Sequence, residues 1–360
     1  MRICLISVEI FAWGKFGGFG RATRTIGREL AKRGHEVFAV VPRRQDQQRV
    51  EQLDGITVFG FSPWRPRESI DMFKHIAPQL CHSCEPSHTT VLAMRTLPRA
   101  KHMVTFRDPR DSYDWWLEFQ RPSLHRAQVV HNYLYENNPF VRRAIKRMDR
   151  VFTIAKYLIP KVKRIYGLKV PPEFLPTPVA IPEGVVKSEK PTVCYVARLD
   201  RRKRPELFLE MAAKFPEVDF LVLGKSRDAA WEESLRNRYG KLPNVRMLGF
   251  VDQFSDKRHP QTLAKSWILV NTATREALPN SFIEATSNGC AILSSVDPDG
   301  FASEFGYHAK NDDFEAGLRY LLANDNWKRH GQRALEYTID TFETTRSLDL
   351  HEAAYESLLR

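Results

Sequence analysis

The sequence predicts an α/β protein built of two doubly wound, Rossmann-like domains facing across a cleft. Three observations carry this. At 360 residues the chain exceeds the roughly 250–300 residues at which a single hydrophobic core stops growing. Apolar strand-like runs alternate with amphipathic helical stretches through the first hundred residues, and the alternation restarts at residue 192, which is the pattern of parallel sheets with helical crossovers. Between the two series, residues 170–191 contain Pro171, Pro172, Pro176, Pro178 and Pro182. Neither a helix nor a central strand can run through that spacing. The expected boundaries are 1–180 for the first domain and 187–340 for the second, with a terminal helix over 341–360.

In order, residues 2–8 read as a buried first strand, because Glu9 interrupts the apolar run before it could serve as a signal peptide. A glycine turn, Gly17-Gly18-Phe19-Gly20, leads into a helix whose apolar face is Ala22, Ile26 and Leu30. Lys32 and Arg33 fill its last turn and Gly34 stops it. Residues 36–41 form the next strand of a βαβ unit, and 56–61, 102–106 and 150–154 are further strands. After the linker, 192–197 reads as a strand, 205–215 as a helix, and 219–224, 245–250, 266–272 and 291–296 as strands, with helical periodicity over 313–360. Such sheets bind ligands at the carboxyl ends of their strands.

Composition narrows the function classes. Hydrophobic residues make up 42% and charged residues 27%, which is globular, and no run of about 18 apolar residues is present to span a bilayer. Cys4, Cys194 and Cys290 lie in apolar runs as core thiols, which suits a reducing cytoplasm. Cys81 and Cys84 form a CxxC near His82 and His88; the choice is between metal or redox use and plain structural cysteines, and no second CxxC completes a four-ligand zinc site. The net charge of +12 concentrates in residues 142–169, where ten cations face the single acid Asp149. Interleaved apolar residues there suit helices with one buried and one basic face. That face is either simply solvated or turned to an anionic membrane surface, while the lack of a nucleic-acid-binding module argues against nucleic acid.

The chemistry lies in the second half. Arg198 and Lys203, five apart in the turn after strand 192–197, have the charge and spacing to converge on one pyrophosphate, although a solvated basic loop would look the same. Glu276 and Glu284 flank Leu278-Pro279-Asn280-Ser281. A helix starting near Pro279 would aim backbone N–H groups at a phosphate, and the carboxylates suit sugar and ribose hydroxyls; by spacing alone they fit surface acids equally well. Asp297-Pro298-Asp299 mimics a metal-binding DxD but reads as a turn.

Taken together, these motifs resemble the GT-B glycosyltransferases of retaining family 4 over nearly the whole chain. The resemblance rests on Gly17-Gly18-Phe19-Gly20, on Arg198 and Lys203, on Leu248-Gly249-Phe250-Val251, and on the E-x7-E pair Glu276/Glu284. It implies a metal-independent hexosyltransferase that needs no cofactor and takes a nucleoside-diphosphate sugar, UDP before GDP, as donor. The first domain would bind a glycan, lipid-linked or small-molecule acceptor, the second the donor, and the terminal helix would pack back on the first. In such enzymes Gly17, Gly18 and Gly20 approach the donor phosphates, Arg198 and Lys203 hold the diphosphate, Phe250 and Val251 contact the base, and the glutamates contact sugar and ribose. Catalysis would then rest on Arg198, Lys203 and Glu276, with Leu278, Pro279, Asn280, Ser281 and Glu284 binding the donor.

The chain departs from that family where many members carry a histidine after a middle strand. Here the run is Phe106-Arg107-Asp108-Pro109-Arg110-Asp111. Arg107 and Asp108 become acceptor-side candidates, or else members of an ion-pair cluster that stiffens the loop. Two rival functions share the architecture: a nucleotide-sugar epimerase, and a non-catalytic nucleotide-sugar-binding protein.

Overall fold

The computed structural model describes residues 1–123 and 125–360. The chain forms two compact units. The first comprises Met1–Asp111, His131–Pro178 and Thr344–Arg360; the second comprises Ser112–Val130 and Val179–Glu343.

The strands are β1 (Arg2–Ile6), β2 (Glu36–Pro42), β3 (Val50–Leu53), β4 (Ile56–Phe61), β5 (Leu80–Ser83), β6 (Lys101–Phe106), β7 (Arg150–Thr153) and β8 (Glu173–Phe174) in the first unit. The second contains β9 (Thr192–Val196), β10 (Asp219–Leu223), β11 (Val245–Gly249), β12 (Ile268–Asn271), β13 (Ala291–Ser294) and β14 (Gly306–His308). Helices α1 (Gly18–Lys32), α2 (Ser69–Ile76), α3 (His88–Thr96), α4 (Ser112–Gln120), α5 (Arg126–Glu136), α6 (Pro139–Ile145) and α7 (Leu158–Tyr166) precede β9. After it come α8 (Pro205–Lys214), α9 (Ala229–Tyr239), α10 (Arg258–Lys265), α11 (Asn280–Thr286), α12 (Phe301–Glu304), α13 (Phe314–Leu322), α14 (Asn326–Phe342) and α15 (Thr344–Leu359).

The second sheet has the order β11-β10-β9-β12-β13-β14, all parallel. Its order reverses between β9 and β12, so the loops after those two strands flank the topological switch point. The first sheet runs β3-β4-β2-β1-β5-β6-β7-β8 and is parallel except for the edge strand β3. Its switch point lies between β1 and β5.

Alternation along β1 divides the first core. Ile3 and Leu5 join α1 residues Ile26 and Leu30 on one face, while Cys4 and Ile6 join Phe59, Met72 and Phe73 on the other. Parallel strands buried on both faces read as near-continuous apolar runs, which is why no polar side chain stands between Arg2 and Ser7. The two CxxC thiols belong to opposite faces: Cys81 packs with Cys4, and Cys84 packs with Ile3 and Leu5. They do not converge as two ligands of one ion. All five cysteines are buried and free, and among the described residues no helix is long and apolar enough to cross a membrane.

The structure differs from the expected organisation in two places. Residues 112–130, inside the expected first domain, belong to the second unit, because α4 is tied there by buried ion pairs described below. Strand β8 sits within the proline-rich stretch, where Phe174 pairs with Thr153 at the sheet edge; an edge strand tolerates flanking prolines that a central one does not. Helix α15 packs on the first unit. Tyr355 Oη bonds His82 Nδ1 at 2.8 Å, His351 Nε2 bonds the Pro176 carbonyl at 3.0 Å, and Arg33 reaches Asp349 at 2.7 Å.

Candidate active site

At the switch point of the second sheet, the loop 197–204 follows β9 and the loop 272–279 follows β12. They are sewn together by Thr272, whose hydroxyl donates to the carbonyls of Lys203 (2.7 Å) and Arg204 (2.8 Å), and by the Thr274 amide, which donates to the Arg202 carbonyl at 3.1 Å. Across this seam the Lys203 ammonium donates to the Glu276 carboxylate. Asn271 Nδ2 lies 3.5 Å from the same carboxylate oxygen. Arg198 is the more open cation, 37% exposed and 3.4 Å from Asp200, while Asp200 also accepts from the Lys203 amide at 3.1 Å and so ties both cations into one turn.

Backbone strain accompanies this packing. Arg204 holds φ +48° immediately before α8, a left-handed conformation that costs a non-glycine residue roughly 1–2 kcal/mol. Its guanidinium is bound bidentately by Asp312 at 2.6 and 2.8 Å, and its Nε donates to the Thr272 carbonyl at 2.6 Å. The loop geometry is thereby over-determined from both sides.

Helix α11 begins at Asn280 with Pro279 as its N-cap. Leu278 is buried, and Ser281 lies at the helix start with 9% exposure. Glu284 projects from the same helix, its Oε2 3.5 Å from His259 Nε2 of α10. Glu276 and Glu284 therefore hold different partners, Lys203 and His259. At the end of β11, Gly249 takes φ +74° and its carbonyl accepts the Gly224 amide at 2.8 Å. Phe250 lies under Lys225 at 5.2 Å, and Val251 is buried. Asp297 is used as a cap: it accepts from the amides of Ala302 (2.7 Å) and Ser303 (3.1 Å).

The first unit carries a different set. The N-cap of α1 is Gly17, and the Gly20 amide donates to Glu9 Oε1 at 3.0 Å. A Cβ on Gly17 would stand 1.9 Å from that carboxylate, and one on Gly20 would stand 2.8 Å from the Ile10 and Phe11 backbone. The glycines thus admit a close approach by the chain's own loop. Glu85, just after β5, is also buried. It accepts from the Val8 amide (2.6 Å) and Ser7 hydroxyl (3.1 Å), and burial pushes its pKa up to about 7.

The ion-pair cluster expected of residues 107–111 forms around Asp108 and Arg110. Asp108 is paired with Arg110 at 2.8 Å, and Arg110 also reaches Glu136. Arg107 turns inward instead, 4% exposed and donating to the Thr177 hydroxyl at 2.9 Å, and burial lowers its pKa. In the basic stretch, Arg142 is committed to the Ile165 carbonyl and Arg164 to Asp111 at 2.9 Å, while Arg143, Lys146, Arg147, Lys163 and Lys169 are exposed.

A family model described as Glycosyl transferases group 1 matches residues 179–332, and one described as Glycosyltransferase Family 4 matches residues 16–181. The chain belongs to the group 1, family 4 glycosyltransferases. This glycosyltransferase is similar over 99% of its length to sucrose-phosphate synthase from Thermosynechococcus elongatus (98% of that chain, TM-score 0.75, 17% identity). It is likewise similar over 99% of its length to Anabaena HepE in complex with UDP and glucose (100% of that chain, TM-score 0.71, 14% identity). Both likenesses establish a GT-B fold. The phosphatidylinositol N-acetylglucosaminyltransferase subunit of Homo sapiens is 29% identical over 129 residues, 35% of this chain and 25% of the human protein. Its Arabidopsis thaliana counterpart is 22% identical over 323 residues, 82% of this chain and 67% of that protein. The match thus spans a quarter of the human relative's length.

Sequence reasoning missed several residues of this glycosyltransferase. Glu9 reads in sequence only as a break in an apolar run, and Glu85 is hidden behind the CxxC. Both sit two or three residues past a strand end at the switch point, which was the available signal. Arg204 and Asp312 lie 108 positions apart, so no local pattern links them.

Proposed function

We propose that the protein transfers a sugar, with retention of anomeric configuration, from a nucleoside-diphosphate sugar to a glycan, lipid-linked or small-molecule acceptor. The observation that carries this reading is the meeting of Lys203 and Glu276 across the switch point, with Arg198 in the same turn. A cation pair there has the charge to hold a diphosphate, and a carboxylate beside it has the lone pairs to accept sugar hydroxyls. The ion pair also holds the Lys203 side chain in place.

In the step envisaged, the bond from the anomeric carbon to the diphosphate oxygen breaks on the face where the acceptor oxygen attacks. The leaving oxygen takes the acceptor's proton. Lys203 and Arg198 stabilise the charge that grows on the diphosphate, the largest contribution a protein makes to such a step, and the reading calls on no metal or cofactor. Glu284 and residues 278–281 would hold ribose and phosphate, Phe250 and Val251 the base. Gly17, Gly18 and Gly20 stay assigned to the donor on the family resemblance, and Arg107 and Asp108 stay acceptor-side candidates at the place where the chain departs from the family. A UDP donor is supported by the UDP held in Anabaena HepE. A lipid-linked acceptor is supported by the phosphatidylinositol named in the human relative, and the exposed cations of 142–169 suit peripheral attachment to an anionic membrane face from the cytoplasm.

A thermal-shift titration of wild-type and Glu284→Ala protein with UDP, GDP, ADP and their sugar conjugates tests the reading. Binding at a hundredfold excess over Kd adds about 2.7 kcal/mol of apparent stability. A rise with UDP that weakens in the variant is expected; no rise with any nucleotide would count against the donor site, and a new sugar-nucleotide isomer formed without acceptor would favour an epimerase.

A further inference from the structure

Helix α4 inverts the usual amphipathic arrangement. Asp114, Trp115 and Glu118 form its buried face, whereas Tyr113, Trp116 and Phe119 are 64%, 54% and 40% exposed. A helix positioned by the hydrophobic effect alone would have turned the aromatic stripe inward. What draws the acidic face inward is a pair of arginines from the second unit. Arg275 Nε stands 2.9 Å from Asp114 Oδ1, its Nη1 stands 3.3 Å from Glu118 Oε1, and Arg202 Nη1 donates to that same Glu118 oxygen. None of the four side chains is more than 11% exposed.

The two arginines are the immediate neighbours of the proposed donor-site pair. Arg202 precedes Lys203 and Arg275 precedes Glu276, so Glu118 ties the loop after β9 to the loop after β12 one residue away from the functional side chain on each. Burying four charges is a poor way simply to fasten a helix, since apolar groups of the same volume often hold as well or better. A planar guanidinium that reaches two carboxylates at once, as that of Arg275 does, however, fixes distance and direction together. The Thr274 to Arg202 backbone bond lies beside the same junction.

We infer that Asp114 and Glu118 are positioning residues for sugar transfer, setting the separation and orientation of Lys203 and Glu276 through Arg202 and Arg275. The inference rests on the reading of Lys203 and Glu276 as donor-binding groups. It makes α4, which follows the Arg107–Asp111 run in the chain, a part of the donor machinery although it offers no atom to the donor.

The test is UDP affinity of the full chain by titration calorimetry, alongside thermal midpoints, for Glu118→Gln, Asp114→Asn, Lys203→Ala and the double variant Glu118→Gln/Lys203→Ala. Lys203→Ala is expected to weaken UDP roughly tenfold to a hundredfold, as loss of a charge-assisted bond does. Glu118→Gln should weaken it about tenfold and Asp114→Asn by less, and Glu118→Gln should add nothing further in the Lys203→Ala background, because the two act through one group. Trp116→Ala, on the outer face of the same helix, should bind UDP as the wild type does. Wild-type affinity in Glu118→Gln with weakened binding in Lys203→Ala overturns the positioning role and leaves the donor site standing. Wild-type affinity in Lys203→Ala overturns the donor reading and the inference with it. Additive losses in the double variant assign Glu118 a purely structural role and overturn the inference. If Glu118→Gln does not fold, the same cycle run with Asp114→Asn decides it.

Discussion

The two units of this glycosyltransferase share a parallel, doubly wound sheet and differ in what stands at its switch point. In the second unit the flanking loops carry cations paired with carboxylates: Lys203 pairs with Glu276, Arg198 with Asp200, Arg202 with Glu118, Arg204 with Asp312 and Arg275 with Asp114, and Arg198 is the most exposed of these five. In the first, the corresponding loops bury two carboxylates, Glu9 and Glu85, against backbone amides. The positive end of α1, where an external anion would bind most readily, already holds the Glu9 carboxylate. A doubly wound sheet dictates where a ligand can sit; the loops decide the sign of the charge that waits there. An anionic diphosphate therefore suits the second switch point.

The largest expected effect tests that contrast directly. Lys203→Ala should lower the steady-state rate of sugar transfer on the order of 10² to 10³-fold, the usual consequence of removing one donor to a developing oxyanion; a loss below tenfold would erase the distinction between the two switch points. A smaller effect sharpens the acidic side. Glu85 has its pKa raised from 4.5 to about 7 by burial, so the folded state holds this proton more tightly than the unfolded chain. Its favourable contribution is complete below about pH 4.5 and is lost as pH rises through 7. Chemical denaturation at pH 5 and pH 8 should show wild type losing stability relative to Glu85→Gln, by a difference on the order of 2–3 kcal/mol. Equal pH profiles would mean that Glu85 is solvated like an ordinary surface acid. The smallest effects are steric. Gly20→Ala would press on Ile10 and Phe11 backbone, whereas Gly17→Ala would press on the end of the Glu9 side chain, which has more freedom to move. Urea midpoints should report a loss of about 1–3 kcal/mol for Gly20→Ala and less for Gly17→Ala. The reverse order would show that the Glu9 carboxylate is the more rigid partner.

Much of this architecture is legible in the amino-acid sequence. Strands β1, β2, β4, β6 and β7 and all but the last strand of the second sheet stand out as apolar runs between turns, because strands covered on both faces are mostly apolar. Helix α1 is readable from Ala22, Ile26, Leu30 and Gly34. Strand β5 is not, since Leu80-Cys81-His82-Ser83 invites a metal-ligand reading and His82 is buried only because Tyr355 and Thr105 satisfy both its nitrogens. At the site, Arg198, Lys203, Glu276 and Glu284 are legible as residue types in suitable loops. The pairing of Lys203 with Glu276 and of Glu284 with His259 is not, because partners 73 and 25 positions apart are matched by strand order and not by local spacing.

By itself, then, the sequence determined the fold class, the series of strands and helices and the loops that carry charge, since hydrophobic periodicity and turn chemistry act over a few residues. Only the tertiary structure decided which charges meet, that Arg107 turns inward while Asp108 pairs with Arg110, and that α4 leaves the unit its neighbours in the chain belong to. Those outcomes depend on burial: a charge removed from water must find its partner wherever the packed chain has placed one, and that place is not written next to it in the sequence.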